Sequence, residues 1–295
     1  AHRPPILLSF GMALACGALV TPVQPARAID AELLAAHSKE PAQPLAKRLQ
    51  THDQTELLLL LDELGPGAEA DKSAKAVVEL LAAGQPDVVT DHALDALARL
   101  GSREAREVVI TFTRHRRREA RCRAYTALAQ LKDTRDYGLL AQGLRDSAPE
   151  VRSQAARALG ELRVRDAAPD LQRALELGVT EAAAALGRVG DAASVERYDG
   201  LLGKLALPVM LTGYANYLER PDLPEATKLH IVARLEDVSG GQVKEFLAER
   251  LKNPPKNTTP KLQQAIELSL ARVRPAPSAT SKPPAAAQPK PEARP

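Results

Sequence analysis

One helical block recurs along this chain and constrains its fold more than any other feature. The block has the form Ala-x-x-Ala-Leu-x-x-Leu, and its first copy carries Leu in both Ala positions. Successive copies end at positions 64, 100, 131, 162 and 189, so the period is 36, 31, 31 and then 27 residues. The copies are Leu57, Leu60, Leu61 and Leu64; Ala93, Ala96, Leu97 and Leu100; Ala124, Ala127, Leu128 and Leu131; Ala155, Ala158, Leu159 and Leu162; and Ala182, Ala185, Leu186 and Val189.

The spacing of the block places its four apolar residues on one stripe of an α-helix. Ala in the first two positions lets a neighbouring helix approach closely. Each block is followed by a turn and then by a second amphipathic segment, as at 76–81 and 171–175. The chain has three Phe, five Tyr and no Trp, which argues against the single large core of a sandwich or barrel. We therefore predict an all-α fold, a right-handed α-solenoid of about six or seven antiparallel helix pairs.

The fourth unit is the most explicit copy of the repeat. It reads Asp-Ser-Ala-Pro-Glu-Val-Arg-Ser-Gln-Ala-Ala-Arg-Ala-Leu-Gly over residues 146–160, followed by Ala-Pro-Asp-Leu at 168–171. This string resembles the short HEAT-like repeat of the family that includes phycobilin lyase subunits. The resemblance covers residues 90–190 and implies HEAT-like helix pairs. A period near 31 residues is shorter than the roughly 40–47 residues of long HEAT and armadillo units.

The resemblance raises two enzyme activities, and the sequence supports neither. Deoxyhypusine hydroxylase has the same architecture and binds two irons through His-Glu dipeptides, whereas none of the six His residues here is followed by Glu. Phycobilin lyase activity is disfavoured because no residue can be assigned to pigment attachment. The sequence also lacks zinc-binding His and Cys spacings and a nucleophile elbow. We predict that the chain is not an enzyme and takes no cofactor or metal.

The first residues have the pattern of an export signal. Residues 1–28 combine basic residues, an apolar stretch over 6–20 and small residues at the end. We predict cleavage after Ala28 and export to the bacterial periplasm or secretion. Residues 13–16 offer an alternative, a lipoprotein signal in which a lipidated Cys16 would attach the chain to the inner or outer membrane.

Composition sets the remaining domain boundaries. We predict N-terminal capping helices over 29–53 and the HEAT-like solenoid over 54–273. Residues 274–295 hold no large aliphatic residue and are predicted to form a disordered Pro/Ala-rich tail.

The charge of the chain is concentrated at its ends and in one internal cluster. The formal net charge is +3, but residues 1–28 carry +2 and residues 272–295 carry +4, which leaves −3 for 29–271. A mildly acidic body does not favour nucleic acid as a partner. Six arginines fall within ten positions: Arg114, Arg116, Arg117, Arg118, Arg121 and Arg123.

The arginine cluster allows two interpretations. Its guanidinium groups could bind carboxylate or phosphate groups of an anionic partner. Alternatively, they could pair with acids on adjacent units, for instance Asp87, Asp91 or Glu150. The sequence alone leaves both interpretations open.

Other polar residues are predicted to be structural. Asp146 suits a helix N-cap, and Arg152 suits a bridge to the loop of the next unit. Cys122 lies inside a predicted amphipathic helix and should be a packed small apolar residue. Asn257 begins a glycosylation acceptor pattern that is too short to be informative.

We expect a non-catalytic scaffold or adaptor in the cell envelope that holds a protein or peptide partner on a concave face formed by the second helix of each pair. One alternative is a binder of anionic envelope components, lipid headgroups or acidic polymer, through the arginine cluster and the basic tail. Another is a cryptic metalloenzyme, against which the lack of His-Glu pairs argues. Lipidation of Cys16 would add peripheral membrane association. The sequence does not identify the partner.

Overall fold

The computed structural model describes residues 44–238 and 240–273 of the chain. These residues form fifteen α-helices in one compact unit that begins at Leu45, and they contain no β-strand. The helices are α1 (Leu45–Arg48), α2 (Gln54–Glu63), α3 (Ala70–Ala82), α4 (Asp87–Leu100), α5 (Arg106–Phe112), α6 (Arg118–Leu131), α7 (Tyr137–Gly143), α8 (Pro149–Glu161), α9 (Ala168–Glu176), α10 (Glu181–Val189), α11 (Ala192–Asp199), α12 (Leu207–Glu219), α13 (Glu225–Val238), α14 (Gly241–Lys252) and α15 (Pro260–Arg272). Short 3-10 turns lead into α5, α7 and α9.

The helices form two layers, in which helices that are two apart along the chain pack side by side. In the first layer α2, α4, α6, α8, α10, α12 and α14 follow one another side by side. In the second layer the same relation joins α1 to α3, α9 to α11, α11 to α13 and α13 to α15. From α2 and α3 to α14 and α15 there are seven helix pairs, so the predicted all-α solenoid of helix pairs is confirmed.

The recurring block lies in the contacts between neighbouring helices, as its spacing predicts. In α4 the side chains of Ala93, Ala96 and Leu97 are fully buried, and so are Ala182 and Leu186 in α10. One helix pair cannot bury this stripe alone, because the stripe faces the adjacent pair. Each unit is therefore stabilised mainly by its neighbours, as in other repeat proteins.

Glycine brings first-layer helices still closer together in the second half of the stack. A Cβ atom added at Gly160 of α8 would lie 2.8 Å from the Cα atom of Ala185 in α10. A Cβ atom added at Gly187 of α10 would overlap the carbonyl oxygen of Gly213 in α12. Separations this short leave no room for a larger side chain, so these glycines set the spacing of α8, α10 and α12.

The largest buried aromatic side chains lie where the repeat becomes irregular. Tyr198 packs edge-on against Tyr214 and Tyr217, with ring centroids 5.1 and 5.8 Å apart. The ring of Tyr198 occupies the space over Gly213, where a Cβ atom would overlap its hydroxyl. Burial raises the pKa of all three tyrosine hydroxyls, so they remain protonated at neutral pH.

Several predictions fall outside the described residues. These are the signal peptide over 1–28, the lipidation of Cys16, the part of the capping region before residue 44 and the tail over 274–295. They remain predictions. Of the predicted capping region the structure describes the short helix α1, which packs against α3. In the part of the chain that the structure describes, no helix is long and apolar enough to cross a membrane.

We expect the substitution Gly187→Ala to lower the free energy of unfolding by about 1–3 kcal/mol, because the added methyl group would push α10 away from α12. Urea unfolding followed by circular dichroism measures this change. Gly138→Ala in α7 is the matched control, since a Cβ atom there meets nothing within 4 Å. This control should leave stability unchanged or raise it by up to about 1 kcal/mol. Equal effects of the two substitutions would contradict the close-approach account.

Candidate functional site

Four arginines of the predicted anion-binding cluster pair with carboxylates. Three of them, Arg117, Arg121 and Arg123, reach an acid on a neighbouring unit at short distance. Arg117 lies 2.7 Å from Asp91 and 3.2 Å from Asp87. The Nε atom of Arg123 donates to Asp95 at 3.1 Å. These contacts agree with the interpretation in which the cluster pairs with acids of adjacent units.

Arg121 forms the third of these close pairs, with Asp146. Its Nε and Nη2 atoms each donate to a carboxylate oxygen at 2.8 Å, and both side chains are 13% exposed. Its Nη1 atom donates to the carbonyl oxygens of His115 at 2.9 Å and Arg116 at 3.2 Å. Arg121 therefore ties the loop before its own helix, α6, to the loop before α8.

The same geometry corrects the predicted role of Arg152, which is the equivalent residue one unit later. Its Nη1 atom donates to the carbonyl oxygens of Asp146 and Ser147, at 2.8 and 3.1 Å, within its own loop. Among the described residues it forms no hydrogen bond or ion pair with the next unit. Asp146 accepts a hydrogen bond at 2.8 Å from the backbone of Ala148, which is itself the N-cap residue of α8.

The remaining arginines of the cluster are exposed. Arg118 lies 2.9 Å from Glu119 and 3.5 Å from Glu150, and its side chain is 60% exposed. Arg114 and Arg116 are exposed and form no ion pair with any described residue. Contact with an anionic partner stays a prediction, and these two side chains are the ones in the cluster with unused charge.

A groove crosses three consecutive first-layer helices, α8, α10 and α12, and has a volume of about 380 Å³. We call it the first-layer groove. Ala184 contributes a short side chain to its lining, whereas the equivalent position of the preceding block holds the long side chain of Arg157. The groove is lined by Arg157, Glu161, Thr180, Glu181, Ala184, Ala185, Arg188, Val209 and Thr212.

Charged side chains surround the apolar part of the first-layer groove. Glu181 accepts a hydrogen bond from the hydroxyl of Ser153 at 2.8 Å and lies 3.7 Å from Arg157. Burial acts to raise the pKa of Glu181, but the hydrogen bonds outweigh burial and lower it, so this residue is ionised at neutral pH. Arg188 donates to the neutral side chain of Asn216 at 3.0 Å and pairs with no carboxylate among the described residues. An acidic group of a ligand would therefore find an available guanidinium at Arg188.

A larger cleft of about 720 Å³ lies where the turns before α9, α11 and α13 meet. Its Arg220 side chain is buried and donates to both oxygens of Asp222, at 3.0 and 2.7 Å, and to the carbonyl oxygen of Gly190. Arg165 lies 2.7 Å from the same Asp222. Arg220 lowers the pKa of Asp222 to about 2. Because these charges satisfy one another, the cleft serves as a junction of three units.

Within the described residues, no group of three or more His, Cys, Asp or Glu could hold a metal ion. His92 contacts Asp62 at 2.8 Å. His230 contacts Asp199 at 2.7 Å, and the other oxygen of this carboxylate accepts a hydrogen bond from a tyrosine hydroxyl at 2.5 Å. Cys122 is half-buried, and burial raises the pKa of its thiol, as expected of a packed small residue.

Comparison with known proteins places the repeat in a described class. Residues 151–176, which begin inside α8 and end with α9, match the model of the PBS lyase HEAT-like repeat. The chain is a HEAT-like repeat protein. The predicted resemblance is thereby confirmed for the pair that carries the most explicit sequence block. Among curated proteins, no sequence matches this HEAT-like chain.

Solved structures similar to this HEAT-like protein include natural and designed repeat proteins. The complex of CpcE and CpcF of phycocyanin lyase from Nostoc sp. PCC7120 matches with 16% identity and a TM-score of 0.44, covering 88% of this chain and 100% of that chain. A designed armadillo repeat protein in complex with the peptide (KR)4 matches with 17% identity and a TM-score of 0.36, covering 79% and 100%. An engineered protein of the Northeast Structural Genomics Consortium, target OR497, matches with 20% identity and a TM-score of 0.42, covering 78% and 67%. With such low identities and TM-scores, none of these likenesses bears on activity.

We expect the substitution Arg121→Ala to lower the free energy of unfolding by about 2 kcal/mol at neutral pH, because it leaves the mostly buried Asp146 without its guanidinium partner. Urea unfolding measures the change. The matched control is Arg116→Ala, which removes an exposed arginine of the same cluster and should alter stability by less than about 0.5 kcal/mol.

The stability difference caused by Arg121→Ala should shrink in acid. Burial acts to raise the pKa of Asp146, but the hydrogen bonds from Arg121 and Ala148 outweigh it and lower the pKa. A carboxyl group whose pKa is lowered on folding stabilises the protein above its unfolded pKa near 3.9, and this contribution is lost as the pH falls through the folded value. A difference that stays constant from neutral pH to about pH 2.5 would contradict this account.

Proposed function

We propose that this protein is a non-catalytic scaffold or adaptor that binds a protein or peptide partner in the first-layer groove. Solenoid repeat folds are typical of protein-binding scaffolds, since they present long surfaces made by successive units. The observation that carries the proposal is the groove itself, which spans three units over α8, α10 and α12. Its position favours a binding face on the first helices of the pairs, rather than on the second helices as predicted from the sequence.

The lining of the groove indicates the chemistry of the partner. The apolar residues Ala184, Ala185 and Val209 suit a segment with small or aliphatic side chains. Arg157 and Arg188 stand beside them, and Arg188 pairs with no carboxylate of the described residues. We therefore favour an extended peptide segment that combines an apolar side chain with an acidic one.

Location in the cell envelope is part of the same proposal. Its support is the export pattern over residues 1–28, which lies outside the described residues. The partner would then be another exported protein or the exported part of a membrane protein.

The substitution Ala184→Arg tests the groove, because it restores the long side chain that the preceding unit carries at Arg157. The matched control is Ala248→Arg on α14, where the replaced side chain is exposed and distant in sequence. Each variant is expressed in intact cells, crosslinked and compared with the unaltered protein by quantitative mass spectrometry. We expect Ala184→Arg to reduce recovery of the crosslinked partner at least about tenfold, as one blocked anchor does at interfaces, while the control retains it.

Retention of the same partner by the Ala184→Arg protein would contradict binding in the first-layer groove. Circular dichroism of both variants establishes that each remains folded. The quantity compared is the recovery of the partner that the unaltered protein crosslinks, not the total amount of crosslinked protein.

A second candidate function is binding of anionic envelope components, favoured by the exposed Arg114 and Arg116. We expect the double substitution Arg114→Ala with Arg116→Ala to weaken binding to phosphatidylglycerol vesicles about tenfold at low salt and to reduce its salt dependence. The charge-matched control replaces Arg103 and Arg163, which are exposed on turns at the other end of the first-layer helices. Equal binding by the two double variants would discard this candidate.

A further inference from the structure

Lys228 is a buried residue whose amine has no partner among the described residues and opens onto a cleft. This residue lies on α13 and is only 4% exposed. Its side chain forms no hydrogen bond or ion pair with any described residue. Lysine is almost never fully buried unless it is paired, because an unpaired buried ammonium group is costly. Neither the repeat contacts nor the first-layer groove explains why this amine lies where it does.

The amine lines a small cleft of about 170 Å³ between α13, α15 and the segments that lead into them. The helices α13 and α15 pack against each other directly beside this cleft. Half of the other lining residues are apolar, and the remaining three are polar. The apolar ones are Pro221, Leu223 and Leu262, and the polar ones are Glu225, Asn257 and Thr259.

The polar neighbours of Lys228 in the cleft already have partners. The hydroxyl of Thr259 donates to Glu225. The side-chain amide of Asn257 donates to the carbonyl oxygen of Arg220 at 3.0 Å. Among the described residues that line this cleft, Lys228 is therefore the charged or polar side chain that forms no hydrogen bond or ion pair.

The surroundings of Lys228 lower the pKa of its amine, so its neutral form is more accessible than that of an exposed lysine. Burial lowers the pKa of the amine, Asp222 raises it, Arg220 lowers it again and Glu225 raises it, with a net shift downward. A lysine that is desolvated beside another cation is the usual form of a nucleophilic lysine. A carboxylate ligand would be held best by the ammonium form and would lie near the carboxylate of Glu225, which lines the same cleft. A neutral carbonyl compound meets neither difficulty.

We propose that Lys228 is a nucleophilic binding site for a small aldehyde or ketone, which it holds as an imine. The lone pair of Nζ attacks the carbonyl carbon, a C–N bond forms, and the π electrons of the C=O bond move to oxygen. The two amine protons then pass to this oxygen, which leaves as water while the C=N bond forms. The balance is one amine and one carbonyl compound giving one imine and one water, without oxidant or reductant.

The other polar groups of the cleft suit this step. Glu225 lies three residues before Lys228 on the same face of α13, and Thr259 is hydrogen-bonded to it. These are the groups in the cleft that can carry protons between nitrogen and the departing oxygen. The site is separate from the first-layer groove, so this inference does not rest on the proposed scaffold function.

Reductive alkylation of the full chain tests the proposal. Acetaldehyde and sodium cyanoborohydride convert any imine to a stable N-ethyl amine, and peptide mass spectrometry then gives the rate at each lysine. The reference is Lys244, which is exposed on α14. At about pH 6 we expect Lys228 to react at least about tenfold faster than Lys244, because only the neutral amine is nucleophilic and an ordinary lysine has a pKa near 10.4. At about pH 9 this advantage should shrink, as exposed lysines lose their protons.

Either of two results would overturn the proposal: Lys228 reacting no faster than Lys244 in the acidic reaction, or Lys228 remaining unmodified in both reactions. The Lys228→Arg variant should lose the adduct on its peptide and keep the adducts elsewhere. Should this variant fail to fold, the site-by-site rates of the unaltered protein decide the question by themselves.

Discussion

Close approach of neighbouring first-layer helices is the contact on which the rest of the structure depends. Gly160 of α8 faces Ala185 of α10, and Gly187 of α10 faces Gly213 of α12. Dispersion attraction falls steeply with distance, so it is strong only where the helices approach closely. The small residues that permit this approach therefore also allow the Ala-rich stripes to attract one another. The same spacing leaves little room for aromatic rings between helices. Tyr198 is accommodated because Gly213, beneath its ring, has no side chain.

Ion pairs between successive units hold the loops in register with this stack. Arg106 reaches Asp136 at 2.6 Å and Arg121 reaches Asp146 at 2.8 Å, each pair joining residues about one repeat apart. Much of the arginine-dense segment therefore contributes to the structure rather than to a free surface. The first-layer groove lies elsewhere, where Ala184 stands at the position that holds the long side chain of Arg157 in the preceding unit. The proposed partner surface and the polar network between loops thus lie on different parts of the units.

The helix pairs could be predicted from the sequence because the recurring block depends only on local periodicity. The partner of Asp146 could not, because Arg121 and Arg152 both lie within reach along the chain, and local sequence does not show which guanidinium crosses between units. The groove carried a readable signal, since aligning the blocks shows a small residue at Ala184 where the preceding unit has a long one. Burial of Lys228 gave no such signal, because α15, which covers it, lies beyond the regular repeat.

Amide hydrogen exchange of the intact protein, followed by mass spectrometry, tests most directly whether first-layer contacts hold the molecule together. Exchange is slowest where opening requires disruption of the most buried contacts. We predict the slowest exchange in α4, α6, α8 and α10, with faster exchange in the short second-layer helices α5 and α7. Exchange in α5 and α7 that is as slow as in the adjacent first-layer helices would contradict the account.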